Sequence, residues 1–254
     1  MSFTASGDAY DRFMGRYSRE LAPRLVAFAG IADGMRALDV GCGSGLLTSA
    51  LADRLGAAKV AAADPSEPLL AACAARVPGA DVRRAPAEEL PWPDGSFDVV
   101  LSQLVLNFVA DADVAVAEMR RVVGPGGILG SCTWDYAGGM RMLHTFWDAA
   151  AELDAQAPVE SNMRYRTEEE LASLWERGGL NDVETGPLEV DVAYGSFAEY
   201  WEPFALGVGP SGAYYASLDE EAREALREGC FSRLGSPAGP FSLTARAFAV
   251  RGTC

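Results

Sequence analysis

Residues 37–51, ALDVGCGSGLLTSAL, decide the fold. A short apolar run ending in Asp39-Val40 leads into glycines at 41, 43 and 45, and a stretch with apolar residues at helical spacing follows at once. Each glycine weakens regular structure through its entropy, so three in five residues imply a backbone that turns sharply and lets a ligand come close. The pattern predicts strand, loop and helix, with bare amides at the helix N-terminus facing a nucleotide or nucleoside. A plain strand-to-helix turn would need one glycine rather than three.

Outward from this stretch, residues 35–133 alternate short apolar runs with helical patterns, which predicts a parallel sheet covered by helices on both faces. Strands are expected near Ala37–Val40, Val60–Ala63, Val82–Arg84, Phe97–Ser102 and Ile128–Thr133, and helices over Leu46–Leu55, Pro68–Arg76 and Val114–Val123. Breaker clusters at Pro78-Gly79, Pro93-Asp94-Gly95 and Gly124-Pro125-Gly126-Gly127 read as turns. Further on, Met140–Leu153 and Glu168–Arg177 read as helices, the second opened by a capping box of Thr167 and Glu170. Val183–Val192 and Leu243–Arg251 read as strands. The long stretch between them, with Ser196–Leu206 and a capping-box helix expected from Ser217 and Glu220, exceeds any hairpin turn and predicts a helical lid.

The fold expected is therefore α/β, a doubly wound and mostly parallel sheet. The chain reads as one domain over 1–254, with an N-terminal helical segment at 1–34, a cofactor-binding core at 35–137 and acceptor-side helices with the last strands at 138–254. The lid insertion spans 195–240.

Composition narrows the chemistry. Of 254 residues, 49% are hydrophobic and 22% charged, an ordinary globular balance. The formal charge of −15 and a single lysine, Lys59, disfavour nucleic acid and anionic lipid as partners. The arginine clusters read as solvated edges. Five cysteines, Cys42, Cys73, Cys132, Cys230 and Cys254, form no CxxC pair, and their odd number fits reduced thiols in a cytoplasm. No run reaches the ~18 apolar residues of a membrane helix. No HExxH and no paired Cys/His spacing appears, so no metal is expected.

Two ligands compete for the glycine loop. The dinucleotide fingerprint GxGxxG wants a third glycine where Leu46 stands, and Asp39 would set its negative charge beside a pyrophosphate. S-adenosylmethionine carries an ammonium and a sulfonium and no phosphate, which suits Asp39. An NAD(P)-dependent reductase and a non-catalytic cofactor-binding homologue are the competing readings.

The stretch from Ala37 to Thr133 resembles the class I S-adenosylmethionine-dependent methyltransferases, and within them the ubiquinone/menaquinone-biosynthesis-like group of small-molecule enzymes. The resemblance implies a Rossmann-like, seven-stranded sheet with an antiparallel last strand, and S-adenosylmethionine as cofactor. Asp39, Gly41, Cys42, Gly43 and Gly45 resemble the motif that wraps the methionine part. Asp64, followed by Pro65 in VAAADPSEPLL, matches the acid that grips the ribose hydroxyls, where a carboxylate forms charge-assisted bonds to a diol. The stretch APAEELPWPDGSFDVV resembles the adenine-binding segment. Pro86 stands in its usual carboxylate slot, which passes recognition to Ala87 and Glu88. EMRRVVGPGGILG at 118–130 is a fold marker, and the closing GPFSLTARAFAVRG and the N-terminal YDRFMGRYSREL extend the likeness. That N-terminal segment implies Tyr10, Arg16 or Tyr17 near the cofactor, with Arg16 the natural partner of its carboxylate.

Methyl transfer is an in-line displacement with a neutral leaving group, so alignment in a dry pocket is the main demand. Gln103 and Asn107, after the fourth strand, are placed for cofactor and acceptor contact. Trp134 and Tyr136 are candidates for the acceptor pocket. His144, the only histidine, is the candidate general base. The partner expected is a small organic acceptor attacked at O, N or C, and the absence of a Pro-Cys dipeptide and of Asn/Asp-Pro-Pro-aromatic sequences speaks against DNA-base methylation.

Overall fold

A computed structural model of the protein describes residues 11–154, 157 and 164–254. Tyr10 lies outside them. Seven strands form one sheet in the order β3-β2-β1-β4-β5-β7-β6: β1 (Ala37–Val40), β2 (Val60–Asp64), β3 (Asp81–Arg84), β4 (Phe97–Gln103), β5 (Val123–Trp134), β6 (Asn181–Tyr194) and β7 (Phe241–Thr253). The first five run parallel, and β7 is antiparallel to both of its neighbours. The doubly wound, mostly parallel sheet is the architecture the alternating pattern predicts, and its antiparallel last strand is the one the family resemblance implies.

Central and edge strands differ as their sequences require. All four residues of β1 are buried, as for a parallel strand covered on both faces, whereas β3 at the edge is exposed. Along β6, buried Leu188, Val190, Val192 and Tyr194 alternate with exposed Glu189, Asp191 and Ala193, the period of a strand with one dry face.

One face of the sheet carries α1 (Arg16–Ala29), α2 (Leu46–Leu55) and α5 (Arg141–Leu153). In α1, Tyr17, Leu21, Leu25 and Ala29 recur every four residues, and all are fully buried. The opposite face is packed by α4 (Ala112–Val122) and α6 (Glu168–Arg177); α3 (Glu67–Arg76) follows β2. α4 is capped by Asp111, whose side chain accepts the amides of Asp113 and Val114, so it begins two residues before the expected Val114. Thr167 caps α6 as expected, accepting the Glu170 amide.

Between β6 and β7 lie α7 (Phe197–Trp201), a 3-10 turn over Glu202–Leu206, α8 (Gly209–Ser217) and α9 (Glu220–Arg233). Phe204 from this insertion stacks on Phe146 of α5 at 4.4 Å. The cap of α9 is a correction to the sequence reading. Ser217 ends α8 and donates to the Tyr214 carbonyl, while Asp219 caps α9 by accepting the Ala222 amide at 2.9 Å.

A second correction concerns Gly124–Gly127, which belongs to β5 rather than to a turn. The chain end supplies the reason: Gly126 donates to the Cys254 carbonyl and Cys254 to that of Gly127, so tertiary pairing overrides four local breakers.

Candidate active site at the strand ends

The strand order reverses between β1 and β4, and in such sheets ligands gather beyond the carboxyl ends at that switch point. A cavity of about 910 Å³ opens there. That is near the top of the roughly 300–1,000 Å³ range of ligand sites. Its wall takes in the glycine loop, Asp39, Asp64–Leu69, Pro86–Glu88, Gln103–Val105, Trp134, Tyr136 and, from elements far in sequence, Phe13, Met14, Ser18, Leu143 and Val208–Pro210.

The loop glycines serve different needs. Gly41 and Gly45 adopt positive φ, +74° and +87°, against crowded neighbours: a Cβ on Gly41 would fall 2.4 Å from Val105 and one on Gly45 2.8 Å from the Cys73 thiol. Gly43, at φ +52°, faces open space, with no protein atom within 4 Å of its would-be Cβ. Four loop amides are engaged within the protein, contrary to the expectation of bare ones, that of Gly45 with the Cys42 carbonyl at 2.8 Å. Those of Gly41 and Cys42 donate to the Ala63 carbonyl, and that of Gly43 to Asp64 Oδ2 at 3.0 Å.

The two strand-end acids are buried. Asp64 Oδ1 accepts the Ser66 amide at 2.8 Å; burial raises its pKa, and the two backbone amides oppose that rise. Both of its oxygens are held, yet each keeps lone pairs for a ligand. Asp39 is 1% exposed and accepts from the Thr48 hydroxyl at 2.7 Å, while its Oδ1 has no partner among the described residues. Burial pushes the Asp39 carboxyl up to about 8.

Pro65, Ala87 and Glu88 line the cavity with Cys42, beside the loop. Glu88 Oε1 also accepts the amides of Ala110 and Asp111, joining two loops at that wall. Gln103 donates from Nε2 to the Ser18 carbonyl at 3.0 Å, and Oε1 is left without a partner. Leu104 follows at φ +64°, a costly conformation for a bulky residue, at the edge of the cavity. Trp134 and Tyr136 line the opposite side. Asn107 stands behind that wall and donates to the Tyr136 hydroxyl at 3.2 Å, so it supports the lining rather than forming it.

Three expected residues lie elsewhere. Arg16 donates to Glu199 at 2.8 Å and lies 4.5 Å over the Tyr194 ring, so its guanidinium meets a protein carboxylate in the insertion and does not line the cavity. Tyr17 is likewise turned away, its hydroxyl 2.7 Å from that of Tyr194. His144 is on the outer face of α5, 45% exposed, with Nε2 3.4 Å from Asp148 one turn on. It does not line the cavity.

Closure over the site comes from the N-terminal segment. Asp11 accepts from the Ser44 hydroxyl at 2.6 Å and pairs with Arg76, which ties residues 11–15 to the glycine loop and α3. Phe13 packs edge-on against Phe204, joining the same segment to the insertion. Local sequence carries no sign of these long-range contacts, so Phe13, Met14, Ser18, Leu143 and Val208 emerge only in the folded chain.

Among the described residues no cluster of three or more His, Cys, Asp or Glu is arranged to hold a metal ion, and no helix is long and apolar enough to cross a membrane.

Comparison with known proteins agrees with this geometry. Residues 38–130 match a family described as a methyltransferase domain. The ubiquinone biosynthesis O-methyltransferase of Agrobacterium fabrum is 42% identical over 105 residues, 40% of this chain and 41% of that protein. The matches to that relative and to the next cover half of its length or less in the first case and 52% in the second. An uncharacterized protein of Mycobacterium tuberculosis is 32% identical over 225 residues, 82% of this chain and 80% of the other. In fold, the chain resembles a Haemonchus contortus phosphoethanolamine N-methyltransferase solved with phosphomonomethylethanolamine and S-adenosylhomocysteine. The TM-score is 0.56 at 18% identity, over 97% of this chain and 59% of that one.

Proposed function

The chain belongs to the class I S-adenosylmethionine-dependent methyltransferases, and from that premise we propose that it moves the cofactor's methyl group onto a small organic acceptor seated at the apolar end of the cavity. The observation that carries the reading is the charge of the wall. Asp64, Glu67 and Glu88 line the cavity, with Asp39 ready to ionise beside a bound cation, against one basic lining residue among the described ones, Arg84, which is itself turned onto the Pro65 carbonyl and Glu67. Such a wall attracts a cation and repels a pyrophosphate, which favours S-adenosylmethionine over NAD(P).

When bound, the cofactor supplies a methyl group on a sulfonium whose departure leaves a neutral thioether. The protein's own work is to bind, orient and exclude water. Asp64, fixed by the Gly43 and Ser66 amides, presents lone pairs to a ribose diol, and Ala87 and Glu88 border the space for the base. Phe13, Met14, Leu143 and Val208 give the acceptor end a dry, apolar lining, with Tyr136 and Trp134 as its polar-tipped members. Alignment of nucleophile, carbon and sulfur at about 3–3.5 Å in such a pocket supplies most of what a displacement needs. The same reading makes residues 1–254 one functional unit with 195–240 as its lid, acting in a cytoplasm where the five free cysteines stay reduced.

The test is to incubate purified protein with methyl-labelled S-adenosylmethionine and a whole cell extract, separated afterwards into low-mass and macromolecular fractions. Label in one small molecule, with equimolar S-adenosylhomocysteine, is the result expected. Label that enters only macromolecules would overturn the small-acceptor reading.

A further inference from the structure

The glycine loop and helix α3 meet at a pair of thiols that methyl transfer leaves without a role. Gly45 donates to the Cys42 carbonyl at 2.8 Å, which folds residues 42–45 into a turn and brings its ends within about 7 Å. α3 lies directly on that turn: a Cβ on Gly45 would fall 3.0 Å from the Cys73 Cα and 2.8 Å from its sulfur. With no side chain at position 45 to hold the helix off, the thiols of Cys42 and Cys73 come together and share a hydrogen bond. Ala62 and Leu70 complete the small apolar cluster around them. A disulfide spans Cα atoms about 4.4–6.8 Å apart and sulfurs about 2.05 Å apart, so thiols already in contact across this turn bond with a small movement of the loop.

The two sulfurs differ in access and in charge. Cys42 lines the cavity, whereas Cys73 is fully buried behind it. The hydrogen bond from Cys42 holds the Cys73 thiol down to about 7 against the opposing effect of burial, with help from Thr48 and the Arg76 charge. The same bond pushes the Cys42 thiol up. A reactive thiol needs both thiolate character and exposure. Cys73 supplies the first and Cys42 the second, and the proton that joins them passes one property to the other. Cys132 and Cys230 have neither, since each is fully buried and burial raises its pKa.

We propose that Cys42 and Cys73 form an oxidative modification site, at which hydrogen peroxide entering the cavity joins the two sulfurs in a disulfide and draws the glycine loop away from the cofactor. Cys42 passes its proton to Cys73, and its thiolate attacks one peroxide oxygen; the O–O bond breaks and Cys42 becomes a sulfenic acid. The Cys73 sulfur then attacks that of Cys42, and the S–S bond forms as the S–O bond breaks. Both thiol protons end in water. Two thiols and one peroxide thus give one disulfide and two waters, with two electrons passing from sulfur to oxygen. The new bond pulls the Cys42 side chain from the cavity wall toward α3. Its effect on cofactor binding rests on the methyltransferase reading above, under which a bound cofactor covers Cys42 and competes with the oxidant for the same loop. In a reducing cytoplasm the dithiol is the resting form, and disulfides that arise there are transient and sensing ones.

Peroxide treatment of the purified full chain, followed by alkylation, proteolysis and mass spectrometry, tests the site. The expected product is a crosslinked pair of peptides carrying Cys42 and Cys73, lost on treatment with dithiothreitol and formed more slowly under saturating S-adenosylhomocysteine. By calorimetry the oxidised protein should bind S-adenosylhomocysteine about tenfold more weakly and recover on reduction, the loss of roughly one well-placed contact. Cys73→Ala removes the second sulfur without adding an atom to the cavity; it should keep the reduced protein's affinity and lose the reversible response. Peroxide that leaves Cys42 and Cys73 unlinked, or links them with no change in affinity, would overturn the proposal, and both results are read on wild-type protein if the variant folds poorly. Reduced wild-type protein that binds no S-adenosylhomocysteine would remove the cofactor reading and the effect on binding with it, and the Cys42–Cys73 crosslink then decides the modification site.

Discussion

Asp64 accepts the amide of Gly43 at 3.0 Å across 21 residues of sequence, so the acid at the end of β2 and the glycine loop after β1 form one unit. Removing the carboxylate frees the loop and also strips a ribose of its acceptor. Asp64→Ala is expected to weaken S-adenosylhomocysteine binding by more than ~1 kcal/mol by calorimetry, and Asp64→Asn, which keeps one acceptor oxygen, to fall between it and wild type. Wild-type affinity in a folded Asp64→Ala protein would contradict the role.

Gly41 and Gly43 separate packing from binding. A Cβ on Gly41 collides with Val105, whereas one on Gly43 enters open cavity space. Thermal unfolding should therefore show a larger loss for Gly41→Ala than for Gly43→Ala, since the second carries chiefly the left-handed backbone strain of about 1–2 kcal/mol. Gly43→Val should largely abolish cofactor binding, and retained affinity would place the ligand elsewhere.

Asp39 gives the site a pH dependence whose sign follows from burial. Its carboxyl titrates at about 8 in the folded chain. Against an ordinary value of about 3.9 in the unfolded chain, the protonated form is favoured by folding. The stability this contributes is complete below that ordinary value and is lost as pH rises through the folded one. The free protein's thermal midpoint should accordingly lose this contribution as the pH is raised toward 8, and Asp39→Asn should flatten the dependence. A ligand ammonium favours the ionised form, so binding releases a proton and affinity for S-adenosylhomocysteine climbs between about pH 6 and 8. Binding enthalpies measured in buffers of different ionisation heat read that proton directly; proton uptake, or none, would contradict a place for Asp39 beside the bound cation.

The sequence made the centre of the fold legible because its signals are local. Apolar runs of strand length, the glycines at 41, 43 and 45 and Thr167 before Glu170 each specify a neighbouring conformation, and each element lies within a few residues of its expected place. Burial along α5 was legible in the same way: Met142, Leu143, Phe146, Trp147 and Ala150 form its buried stripe, which leaves His144 and Asp148 as an i,i+4 pair on the wet side. What was not legible depends on distance along the chain. Arg16 finds Glu199 183 residues away, Gly126 pairs with Cys254, and Asp39, Gln103 and Trp134 come to one face of the sheet only through strand register.

The end of β5 is held by a partly buried ion pair. Asp135, its side chain 4% exposed, accepts from Arg246 Nε at 2.9 Å and Nη2 at 2.5 Å. Arg246→Leu strands a buried carboxylate and is expected to cost roughly 2–4 kcal/mol in denaturant unfolding, the half-exposed arginine keeping this below the loss for a fully buried pair. Adding Asp135→Asn should restore part of it; an additive double variant would show that the two residues do not act together.

Calorimetric titration of the purified protein with S-adenosylhomocysteine and, separately, with NADH tests the central claim most directly. The strand-end acids and the glycine loop predict saturable one-site binding of S-adenosylhomocysteine and no binding of NADH. Saturable NADH binding with no S-adenosylhomocysteine binding would contradict the account.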